Sequence, residues 1–269
     1  MARANRNKTA DTSLISILIL VLSVHAADAL PQGAAVDLAP HRAIYDMSLH
    51  ETVAGSNVSD VRGRLVFDFE GSACAGFSLK SRLVTEIVDR DGNTMVTDLR
   101  SSTWENAAGD KFRFDNSQYV DRRLSEQVSG QAARRKKAEG IEVTLDKPQR
   151  RRLKLEGRAL FPTQHSIAIL EAAKAGYGVL QADVYDASEQ GKKLLQTTTF
   201  IGKPSIATSA AAKPARIANA DKLDGVASWP ISISYYDVVD NPKKDTGVPA
   251  YELSGSRSEE RRVGKECRS

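Results

Sequence analysis

Imidazole or thiol chemistry in this chain would have to be built from four histidines and two cysteines. His25 falls in an apolar N-terminal segment, which leaves His41, His50 and His165. No HxxxH, HExxH or close Cys/His spacing occurs, so a zinc site would need ligands brought together from remote positions. His165 falls in the first turn of an expected helix, where capping or core packing is the commoner role. Ser72 stands in Gly71-Ser72-Ala73 rather than in a GxSxG elbow, so nucleophilic catalysis has no local support. Phosphate-cradling GxGxxG and Walker patterns are absent as well. The expectation is a non-enzyme with no catalytic residue, no metal and no cofactor.

Two other groups of side chains could bind something. Arg134, Arg135, Lys136 and Lys137, followed by Arg150, Arg151 and Arg152, form a basic cluster suited to anionic lipid head groups. The same residues equally suit the solvated faces of edge strands, where Lys and Arg discourage strand addition, and that reading is preferred. Aromatic interleaving is poor, which argues against nucleic acid. Trp104, Trp229, Tyr235 and Tyr236 form a candidate ligand cleft, although such aromatics are more often core.

The N-terminus speaks to compartment. Arg3, Arg6 and Lys8 precede an apolar run from Leu14 to Val24, and Ala27-Asp28-Ala29 supplies small residues for cleavage. That run is shorter than the roughly 20 residues a bilayer span requires, so residues 1–29 read as a cleavable signal peptide and the chain as periplasmic. Of the formal net charge of +4, part belongs to this leader and part to the last residues, leaving a body near neutrality. A polyanion partner therefore gains little support from charge. Export also changes the reading of Cys74 and Cys267. In an oxidising compartment a widely spaced pair suggests a structural disulfide, stabilising by about 4–5 kcal/mol in the chain-entropy model.

The elements follow from periodicity. Val61, Leu65, Phe67 and Phe69 alternate with Arg62, Arg64, Asp68 and Glu70; Phe77, Leu79, Leu83 and Ile87 alternate with Ser78, Lys80, Arg82 and Glu86. Period-two alternation on both sides of Gly71–Gly76 predicts a β-hairpin with one wet face, and Cys74 lies in its loop. A first strand is expected within Leu38–Glu51, with Ala43, Tyr45, Met47 and Leu49 toward a core. Further strands are expected at Thr94–Trp104 and Lys111–Tyr119, with weaker candidates at Leu124–Ala132, Ile141–Leu145 and Arg152–Leu155. One helix starts at Phe161-Pro162-Thr163, with Thr163 as its cap, and stops at Gly176. A hairpin over Val179–Asp186 and Lys193–Ile201, a loop over 203–219, and strands at Val226–Val239 and Val248–Leu253 complete the pattern. The fold class expected is mainly β, a single bent antiparallel sheet, spiral or half-barrel-like, with one helix insertion on its concave side.

Several segments in order, LAPHRAIYDMSL, RGRLVFDFEGSACAGFSL, TDLRSSTWE, LFPTQH, DVYDAS and WPISISYY, resemble the EipB family of alphaproteobacterial periplasmic proteins. The resemblance covers about Leu38 to Ser254. It implies a heavily bent antiparallel sheet, a role in cell envelope integrity and a disulfide from Cys74 to a far C-terminal cysteine, which would consume any Cys74 nucleophile; it carries over no catalytic residue. After Ser254 the string GSRSEERRVGKECRS departs from the family and shows no strand signal. Residues 30–254 are thus expected to be the periplasmic domain, incomplete at its C-terminus, and 255–269 a non-native tail. Cys267 would then be accidental and Cys74 an orphan thiol. The expected partner is an envelope protein, a peptide or a lipid held by the curved sheet, with peripheral contact to an anionic membrane surface through the basic cluster. A lipid or lipoprotein carrier and an envelope hydrolase are the alternatives.

Overall fold

The computed structural model describes residues 36, 38–136, 139–206, 223–237 and 247–258. The expected signal peptide, Lys137, most of the 203–219 loop and Cys267 lie outside them.

Strands β1 (His41–Ser48), β2 (Val58–Ser72), β3 (Gly76–Asp89), β4 (Thr94–Glu105), β5 (Lys111–Val120), β6 (Arg123–Arg134), β7 (Ile141–Lys147) and β8 (Arg151–Leu155) pair in sequence order. Every pairing is antiparallel, so the sheet is a continuous meander with β1 and β8 at its edges. Leu65 faces Leu83 across the predicted hairpin and Phe69 faces Leu79, which fixes the alternation read from the sequence. Gly71 takes φ +123°, and a side chain there would collide with the backbone of Gly76 and Phe77, so the strand ends tolerate only glycine. Strand β6 is twelve residues long, more than its weak alternation suggested, because β5 and β7 pair along both its sides.

Helix α1 (Pro162–Lys174) follows, with Pro162 in its first turn. Its C-terminus closes in a Schellman arrangement: Gly176 N–H donates to Ala173 and Tyr177 N–H to Ala172, with Gly176 at φ +81°. The expected Thr163 cap is corrected. Phe161 occupies the cap position without a side-chain bond, and the first-turn N–H groups turn to a carboxylate on β4.

The strands after the helix do not extend the meander. β9 (Val179–Val184), β10 (Leu195–Ile201), β11 (Ser205–Ile206), β12 (Ala227–Asp237) and β13 (Tyr251–Ser258) form a second antiparallel sheet centred on β12. The expectation of no strand after Ser254 is corrected here too, since β13 continues to Ser258 and pairs Gly255 with Ile231 and Arg257 with Trp229.

Two apolar clusters hold these parts together. The first joins Phe69 and Phe77 of the meander to Ile169, Leu170 and Ala173 of α1 and to Ile201, Trp229, Ile231 and Ile233 of the second sheet. The second packs Phe112, Phe114, Ile141, Val143 and Leu145 around Phe161 and Tyr185. Fully burying one such side chain is worth about 1.5–3 kcal/mol. Both clusters lie on one face of the meander, its inner face, because their members share strand parity.

Candidate functional site

The histidines do not converge. Buried His165 sits on α1, with its Nε2 3.3 Å from Thr197 Oγ1 on β10; burial first, and the Arg257 charge second, push its pKa down to about 4. His41 stacks on Phe67 at the start of β1, and His50 is exposed in the loop after it. No group of three metal-ligating side chains occurs among the described residues.

Cys74 is exposed in the β2–β3 turn. No free cysteine occurs among the described residues, so Cys74 is not the orphan thiol expected from the tail.

The four cleft aromatics divide. Trp229 is core, and Tyr235 packs against the same cluster and stacks on Tyr251 with centroids 4.4 Å apart. Burial, with Asp186 nearby, pushes the Tyr235 hydroxyl above its ordinary range. Tyr236 takes the opposite parity. Trp104 lies on the outer face of the meander under the Arg113 guanidinium, 5.0 Å from its ring centroid. Strand alternation, invisible as a three-dimensional separation in the sequence, keeps them from forming one cleft.

The basic cluster also divides. Arg134 donates to Gly109 O and lies over the Phe161 ring, and Arg135 pairs with Glu156 and the Glu139 carbonyl. Lys136 is exposed, as are Arg150, Arg151 and Arg152 at or on the edge strand β8, with Arg150 3.9 Å from Asp146. Two of the described cations are therefore committed to the fold.

Sequence reasoning missed Glu105. Only 1% exposed at the end of β4, it accepts N–H bonds from Thr163 at 2.6 Å and Gln164 at 3.3 Å. Burial raises its pKa, and the bonds from Thr163 and Gln164 oppose that. It caps the helix that fills the inner face, a structural task.

What the structure leaves open is the rest of that inner face. Beyond the cores and an intervening row of Ser81, Ser101 and Asn116, Tyr45, Leu65, Leu83 and Leu99 stand in one cross-strand row that ends at Gln118. The next row toward the strand ends is Met47, Gly63, Thr85, Thr97 and Val120. A third row is Val61, Ile87 and Met95. None of these positions is charged, yet Tyr45 is 54% and Leu99 41% exposed. This corrects the expectation that the apolar side of β1 meets a core. The outer face at the same height carries the ions instead: Arg64 with Asp46 at 2.6 Å, and Asp98 between Arg82 and Arg100 at 2.8 and 2.7 Å. Those two guanidinium groups, by hydrogen bonding, hold the Asp98 carboxyl down at about 2.

An unclosed antiparallel sheet, filled at one end by a helix and a second sheet and, among the described residues, partly exposed and free of charge at the other, defines a β-barrel-like fold with an open inner face. The chain belongs to the EipB-like family, whose model matches residues 32–257. It is 35% identical over 229 residues to the cell envelope integrity protein EipB of Brucella abortus (strain 2308), covering 85% of this chain and 78% of that one. It also resembles the crystal structure of a β-barrel-like protein of domain of unknown function DUF1849 from Brucella abortus, with a TM-score of 0.73 and 34% identity over 82% of this chain and 88% of that one.

Proposed function

We propose that this is a periplasmic, non-catalytic protein that supports cell envelope integrity by holding an apolar partner on the inner face of its first sheet. The uncharged rows beyond the core carry this reading: a charged outer face and a bare apolar inner face on the same strands favour occupation of the inner one. The basic and apolar N-terminal segment supports export, and an oxidising compartment suits a bridge at Cys74. The named role of the Brucella relative agrees with an envelope task.

The test is genetic. A strain lacking the gene is expected to become sensitive to detergent and to cell-wall antibiotics, with resistance restored by the wild-type gene. Unchanged sensitivity would overturn the proposal.

A further inference from the structure

We infer that the occupant of the open inner face is the hydrocarbon chain of a single-chain zwitterionic phospholipid. This deepens the function proposed above and rests on it. The middle row is a trough. Its floor is Gly63, Thr85 and Thr97, small side chains set between the taller leucine row and the Val61–Ile87–Met95 row. At a strand rise of 3.3 Å and a strand spacing of 4.8 Å, the trough lies between walls roughly 13 Å apart and runs about 19 Å across β1 to β5. That shape accepts a slim chain. A peptide would bring an N–H and a C=O at every residue, more than the Thr85 and Thr97 hydroxyls of the floor can receive, and each left unbonded is costly. Hydrocarbon brings none.

The ends of the trough differ. At β5 it reaches Val120, immediately before the turn made by Asp121 and Arg122. A depression of about 480 Å³ lies there, lined by Val120, Asp121, Arg123, Leu124 and Ser125. Arg123 pairs with Val120 and Glu126 with Gln118, so β6 brings one charge of each sign to the inner face at that rim. An occupant complementary to both is neutral along its length and carries both signs at its head.

The experiment uses palmitoyl-lysophosphatidylcholine and the full exported chain, with binding read by calorimetry. Wild type is expected to bind one lipid. Leu99→Glu puts a carboxylate on the trough wall at an exposed position and should weaken binding at least tenfold, while Ile44→Glu, on the outer face, should leave it unchanged. Met95→Glu gives the same reading if Leu99→Glu fails to fold, as judged by circular dichroism. Binding unaffected by both inner-face variants would overturn the inference. So would absence of lipid binding, or self-association of the chain abolished by Leu99→Glu, which would assign the face to a second copy. Complementation separates the two levels: if lipid does not bind yet Leu99→Glu fails to restore resistance, the face still holds a partner of another kind. If Leu99→Glu restores resistance fully, the proposed function falls as well.

Discussion

His165 shows how one side chain reports on the packing around it. Its imidazole is buried between α1 and β10, so charging it means moving an ion into the apolar interior beside Thr197, with the Arg257 guanidinium opposing it further. Its folded pKa of about 4 lies below the ordinary 6.5. A histidine depressed in this sense contributes stability that is present above the unfolded value and lost as pH falls through the folded one. The depression corresponds to something on the order of 3 kcal/mol. Wild type should therefore lose stability between about pH 6.5 and pH 4. In a His165→Phe variant that loss should shrink, as followed by urea denaturation across the window. An equal loss in the variant would assign the acid sensitivity elsewhere. Asp98, held down at about 2 by Arg82 and Arg100, acts at lower pH and so does not mimic the effect.

Among the elements, α1 depends on a residue that no local signal reveals. Its sequence has no acidic residue in the first turn and no side-chain cap, which on propensity alone is a weak start. Glu105, some 58 positions earlier, supplies the acceptor because the meander brings the end of β4 under the first turn of the helix. Removing it leaves buried N–H groups without a partner, so Glu105→Ala should cost about 2 kcal/mol. Glu105→Gln keeps an acceptor and, lacking charge, avoids the desolvation that raises the pKa of the carboxylate, so it should cost less. Thermal melts of the two variants check the order, and an Ala variant as stable as Gln would remove the capping role. The β2–β3 hairpin is the opposite case. Its face assignment was legible because period two is a local property, and Leu65 opposite Leu83 confirms it. The division into two sheets was not legible, because it depends on β10, rather than the edge of the meander, pairing with β12. Nor was the far end of β13, whose Gly255-Ser256-Arg257 lacks alternation and is ordered by its pairing to β12.

For the molecule as a whole, the long strands are packed at one end and bare at the other. Phe69 and Phe77 are buried where the helix and second sheet cover β2 and β3, whereas Met95 and Leu99 further along the same face are open. The sequence made the apolar face visible but not its extent of cover, since alternation continues unchanged from Phe69 through Leu65 to Val61. Local opening free energy follows contact density, so amide exchange should differ along single strands rather than between strands. Slow exchange is expected around Phe112–Phe114, Ile141–Leu145 and Ile231–Ile233, and fast exchange in Val58–Gly63 and Glu86–Asp89. Adding palmitoyl-lysophosphatidylcholine should then slow exchange in the second group and leave the first unchanged, because ligand burial stabilises only the half that it covers. Uniform protection along β2 and β3 without lipid would mean that the bare half is already held as firmly as the core, and the open face would lose its physical basis as a binding surface.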